Sequence, residues 1–185
     1  MDFGREICGY LPVAEQREWL VTNGLGGYAM GTVPGLLTRR YHGLLIAALH
    51  PPLGRTLLLT KIDETVQYLD QDISLFANRW HDGTVEPQGY IYLERFHLEG
   101  ATPVWSYAIA DARLEKRIWM EKGSNTTYIQ YTLRSASGPM VISAKILVNY
   151  RDYHQTTIPF QWDMEIDAIQ DGLRFLALIV QPLSF

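Results

Sequence analysis

Val141-Ile142-Ser143-Ala144-Lys145-Ile146-Leu147-Val148-Asn149-Tyr150 decides the fold class. Ile142, Ala144, Ile146, Val148 and Tyr150 fall on one side of an extended chain. Val141, Ser143, Lys145, Leu147 and Asn149 fall on the other. Neighbouring side chains of a strand point to opposite faces, so this period of two predicts a strand. Working outward, the same pattern recurs. Thr127, Ile129, Tyr131 and Leu133 alternate with polar or aromatic neighbours, as do Leu114, Lys116, Ile118 and Met120. Phe160, Trp162, Met164 and Ile166 face away from Gln161, Asp163, Glu165 and Asp167. Turn chemistry separates the runs at His81-Asp82-Gly83, Gly100 to Pro103, Lys122 to Asn125, Ser137-Gly138-Pro139 and Gln170-Asp171-Gly172. Leu57 to Tyr68 reads as strand because Thr56, Thr60, Thr65 and Val66 favour it. No apolar stripe of helical period stands out. The expectation is all-β: an antiparallel β-sandwich with a few short helices, residues 1–185 forming one domain.

Composition bounds the function. The chain is 47% hydrophobic and 19% charged, enough to bury a core and too apolar for a disordered chain. A net charge of -4, with Arg39-Arg40 as the notable basic pair, argues against a nucleic-acid partner. Cys8 is the sole cysteine, which excludes an intrachain disulfide and suits a reducing, cytoplasmic setting. No signal peptide and no membrane span are read from the chain. The five histidines form no metal-ligand spacing, so neither metal nor cofactor is expected. Asn125-Thr126-Thr127 is a formal glycosylation sequon, read here as a turn.

Asn23 to Ala48 is the most distinctive block: glycines at 24, 26, 27, 31, 35 and 43 surround Arg39-Arg40-Tyr41-His42. Glu18 to Gly24 leads into it, and Pro51 to Arg55 and Lys61 to Thr65 come after it. Val148-Asn149-Tyr150-Arg151-Asp152-Tyr153-His154 forms a second block. Together they resemble the N-terminal domain of bacterial and archaeal glycogen-debranching enzymes of the amylo-α-1,6-glucosidase type. The resemblance implies a super-sandwich-like β-domain that precedes an (α/α)6 barrel. The barrel holds the two carboxylates that hydrolyse α-1,6 branch linkages. Phe185 comes before any such barrel, so the chain is expected to hold no catalytic residue and to hydrolyse no glucosidic bond alone.

The candidate site residues are Arg39, Arg40, Tyr41, His42, Trp80, Arg151, Asp152 and His154. For each cluster two readings stand. One is a structural set of paired arginines and turn caps. The other is a polar edge facing a sugar or the barrel, since arginine's planar fork suits carboxylates and hydroxyl arrays. Asp152 and His154 either orient one another or each cap a turn. Sugar faces stack on aromatic rings, which makes Trp19, Trp80, Trp105, Trp119 and Trp162 candidates for such contact. Trp80, beside a predicted turn, is the best of them. Gly24-Leu25-Gly26-Gly27-Tyr28-Ala29 fits a dinucleotide fingerprint in letters only, because Thr32-Val33-Pro34-Gly35 cannot open a helix. Asp63-Glu64 reads as a solvated edge. The rivals to a debranching-enzyme domain are a stand-alone α-glucan-binding module and a structural assembly domain. Leu173 to Val180, nearly all apolar, reads either as a central strand or as one awaiting cover. The expected partners are the catalytic barrel, an α-glucan and, for the isolated chain, a second copy.

Overall fold

The computed structural model describes residues 1–51, 53–157 and 162–179. Two antiparallel sheets dominate. One joins β1 (Asp2–Phe3), β9 (Leu93–Glu99), β10 (Thr102–Ile109), β11 (Ala112–Met120) and β12 (Thr127–Ser135), in that spatial order. The other runs β13 (Val141–Asp152), β5 (Leu53–Tyr68), β4 (Gly43–His50), β3 (Tyr28–Thr32) and β2 (Glu18–Thr22), with β6 (Gln71–Ser74) paired to β5. β7 (Ala77–Arg79) and β8 (Val85–Gln88) form a separate hairpin. So do β14 (Trp162–Ile169) and β15 (Gly172–Ile179). Helix is limited to α1 (Arg5–Cys8), α2 (Leu11–Ala14) and a 3-10 turn at Gly89–Tyr92 among the described residues. The expected all-β sandwich with short helices is the architecture observed.

The alternating positions explain the core. Inward residues of β2 and β3 (Trp19, Val21, Ala29) meet Phe96, Trp105, Leu114 and Ile118 from the first sheet. Trp105 stands edge-on to Trp19, with ring centroids 5.2 Å apart. Both indoles satisfy their N–H groups on the chain at the end of β3 and just beyond it. Trp19 donates to the Thr32 carbonyl at 3.3 Å and Trp105 to that of Val33 at 2.9 Å. The buried rings thereby anchor the segment that leads to Arg39.

Three expectations need correction or refinement. Asp63 and Glu64 are buried, not a solvated edge. β5 runs through the interior, so Asp63 meets Lys61 Nζ at 2.9 Å and Glu64 pairs with Lys116. Leu133 belongs to the inward set but is 43% exposed, because β12 is a sheet edge with no strand beyond it among the described residues. Ile146 is likewise 42% exposed, because β13 is the edge of its own sheet. Its pairing with β5 also slips on either side of Val148. A slip of one residue exchanges faces, so alternation is not read out evenly along β13. Phe160, Gln161 and Val180 of the expected last strands, and the Trp162 side chain, lie outside the described residues.

Candidate functional site

The glycine block is a hairpin turn pinned from below. Asn23, fully buried, accepts the N–H groups of Leu25 (2.9 Å) and Gly27 (3.0 Å) at Oδ1. Its Nδ2 donates to the Ser124 carbonyl and to Asn125 Oδ1. Asn125 in turn exchanges two 3.0 Å hydrogen bonds with the Ala48 backbone. Gly27 is needed because a Cβ there would lie 2.6 Å from Asn23 Nδ2 and 3.1 Å from the Ile46 carbonyl. Gly26 takes φ +100°, open to glycine, and its carbonyl accepts Arg55 Nε at 2.6 Å. The sequon asparagine is thus a turn residue that ties the β11–β12 turn to β4.

On this base the two distinctive sequence blocks meet. Tyr41 Oη lies 3.3 Å from His154 Nδ1, across 113 positions of chain. Arg40 Nη1 donates to the His154 carbonyl at 2.8 Å, and Arg151 Nη2 donates to the Arg40 carbonyl at 2.7 Å. The Tyr153 ring packs against His154 (centroids 3.9 Å apart) and Tyr41 (5.6 Å). The Arg55 guanidinium sits over Tyr153 at 5.4 Å and donates to its hydroxyl at 3.3 Å. Tyr28 closes the set by donating its hydroxyl to the Tyr41 carbonyl. The result is a surface cluster of four rings and three guanidiniums. Arg40 and His154 are exposed, and Tyr28, Tyr41, Arg55, Arg151 and Tyr153 are half-buried. Burial, reinforced by the nearby Tyr153 hydroxyl, pushes the Tyr28 hydroxyl pKa up. Burial and the Arg40 charge lower that of the Arg151 guanidinium.

The other candidates go elsewhere. Arg39 and His42 leave the cluster and share Glu18, whose Oε1 is 2.8 Å from Arg39 Nε and 3.0 Å from His42 Nε2. His42 Nδ1 accepts the Thr38 N–H, so the buried ring holds its proton on Nε2 and donates it to Glu18. Burial lowers the His42 pKa against the opposing pull of Glu18. Asp152 caps a turn by accepting the His154 N–H at 2.9 Å. Trp80 is 59% exposed on the β7–β8 hairpin and donates to the Glu86 carbonyl. It shares no hydrogen bond or ring contact with the tyrosine cluster among the described residues. Tyr28, Arg55 and Tyr153 are cluster members that the sequence reading does not single out. Tyr28 and Tyr153 fall inside the distinctive blocks and Arg55 in the stretch just after the first, but spacing alone does not bring them together. Among the described residues no group of three His, Cys, Asp or Glu is placed to hold a metal, and no helix is long and apolar enough to cross a membrane.

The model of the glycogen debranching enzyme N-terminal family matches residues 17–175. The chain belongs to this family. The match covers both halves of the tyrosine–arginine cluster and leaves out only β1, the two short helices and the chain ends. No curated protein and no solved structure matches the chain. Family membership identifies the domain.

Proposed function

We propose that residues 1–185 form the non-catalytic N-terminal domain of a cytoplasmic glycogen-debranching glycosidase. The domain braces an (α/α)6 catalytic barrel and lines part of the approach of an α-glucan to the α-1,6 linkage being hydrolysed. The observation that carries this is the convergence of Tyr41, Tyr153 and His154 on one exposed surface of a debranching-family domain. Ring faces and guanidinium donors suit sugar C–H faces and hydroxyls. A loop cluster held by a stiff sandwich is where binding residues are usually carried. The single cysteine supports the cytoplasmic placement. As a non-catalytic domain, the isolated chain releases no glucose from a limit dextrin.

Titration of labelled protein with maltoheptaose tests the reading. Weak, about millimolar binding should shift Tyr41, Tyr153 and His154 resonances, and Tyr153→Ala should remove the response. A flat titration would overturn the sugar-lining role. Shifts centred on Trp80 would favour a stand-alone binding module instead.

A further inference from the structure

Three guanidiniums converge in the cluster, and among the described residues none of them meets a carboxylate. Arg40 donates to the His154 carbonyl, Arg55 to the Gly26 carbonyl and Tyr153 hydroxyl, and Arg151 to the carbonyls of Arg40, Asp152 and Gln155. All of these acceptors are neutral. Elsewhere most arginines are paired: Arg39, Arg79, Arg95, Arg113, Arg117 and Arg134 each face an Asp or Glu. The chain has acid to spare, with 20 Asp and Glu against 16 Lys and Arg. Asp152, the acid in the same segment, turns its Oδ1 to the His154 N–H. The fold therefore gathers like charges, two of them half-buried, and although the Asp152 charge acts on Arg151 without an ion-pair contact, Arg40 and Arg55 face no carboxylate among the described residues. Like charges held close repel, and a neutral sugar cannot cancel them.

We propose that Arg40, Arg55 and Arg151 form a docking surface for carboxylates on an acidic protein segment, the rings of Tyr41 and Tyr153 framing the contact. This rests on the bracing role above and names the chemistry of what is braced: a barrel-side surface that presents Asp or Glu. The planar forks of arginine bind carboxylates in a directed way, and charge-assisted bonds are the stronger kind. Such a seam fixes orientation and partner choice. Arg151, whose donors are mostly taken by backbone carbonyls, sets the spacing. Arg40 and Arg55 make the direct contacts.

The test is calorimetric titration of the 185-residue chain with a hexaglutamate peptide, beside hexaglutamine, inorganic phosphate and maltoheptaose. Hexaglutamate should bind and hexaglutamine should not, with affinity falling steeply as salt rises toward about 0.5 M. Arg40→Gln and Arg55→Gln should each weaken binding about tenfold, Arg40→Lys less. Arg134→Gln, on the opposite sheet, should leave it unchanged. Arg40 is exposed, so Arg40→Gln should fold normally by circular dichroism. Salt-insensitive binding, equal affinity in Arg40→Gln and wild type, or tighter binding of phosphate than of hexaglutamate would each overturn the proposal. The maltoheptaose arm separates the two ideas. Sugar binding without hexaglutamate binding sinks the carboxylate seam alone, and the reverse sinks the sugar-lining role alone.

Discussion

At the β11–β12 turn, Asn125 donates to and accepts from the backbone of Ala48, which locks the turn under the glycine loop. Asn125→Asp keeps the acceptor and loses the donor, so a half-buried carboxylate faces the Ala48 carbonyl. The expected cost is about 2–4 kcal/mol, read as a lower urea midpoint with unchanged slope. His42 makes a pH prediction of definite sign. Its Nδ1 is occupied by the Thr38 N–H and its folded pKa is lowered by burial, so the native state holds the ring neutral. The unfolded chain takes up the proton first, near the ordinary imidazole value of about 6.5. Stability from this residue is therefore complete above that pH. It is lost as pH falls below it, until the folded ring also protonates. Thermal scans from pH 7 to about pH 5 should show a falling midpoint in wild type and a smaller fall in His42→Gln. Equal slopes in the two proteins would show that another group carries the acid sensitivity.

Between the sheets, an ion pair joins β5 to β11 inside the apolar core. Glu64 pairs with Lys116 and accepts the Tyr131 hydroxyl at 2.6 Å, while Lys116 lies 5.8 Å over the Trp105 ring. Burial, with the Glu64 charge beside it, pushes the Tyr131 hydroxyl pKa up, so it remains a donor. A pocket of about 60 Å3, open on one side, adjoins this group, lined also by Trp19, Lys61 and Tyr107. Lys116→Met would leave Glu64 buried beside an apolar chain and should cost about 3–5 kcal/mol. Adding Glu64→Leu should recover most of that loss in the same denaturation assay. A merely additive loss would mean that the pair is not coupled. This element also marks the limit of sequence reading. Alternation along β11 and β12 identifies the strands, and Leu114, Ile118 and Met120 are buried as their row requires, with Lys116, Ile129 and Tyr131 partly buried and Leu133 the exception at the edge. Nothing local says that an inward Lys on β11 meets an inward Glu on β5, 52 positions away. Asp63-Glu64 therefore looks like an edge in the sequence. The candidate site shows the same division. Its two blocks stand out by wording, but their meeting depends on how the β13 end folds back over the Gly26–Arg55 corner. That fold-back is set by long-range packing.

For the whole molecule, what lies uncovered matters most. The β14–β15 hairpin pairs with neither main sheet among the described residues. Its Met164, Phe175 and Ala177 line a groove opposite Leu45, Leu59, Ile146 and Val148. Beyond the groove, Ile166 is 59% and Leu173 51% exposed, on one face of the hairpin because Ile166 pairs with Phe175 and Ala168 with Leu173. An isolated two-stranded hairpin is marginal in water and needs a second layer. Exposed apolar area of this kind draws partners. Among the described residues β15 pairs with β14 alone, so it is not the central strand that is one of the two readings open from sequence. The isolated chain is expected to self-associate as a twofold dimer, since a closed contact covers both copies at once. Light scattering at about 100 µM should report more than the 21.2 kDa monomer. Ile166→Lys with Leu173→Lys should return it to monomer without loss of β-structure. Arg40→Ala discriminates between interfaces. A larger effect than Arg134→Ala would draw the arginine cluster into the dimer contact, whereas equal effects would confine the contact to the hairpin. A monodisperse monomer at that concentration would mean that the hairpin's apolar face tolerates water, and the self-association prediction would fail.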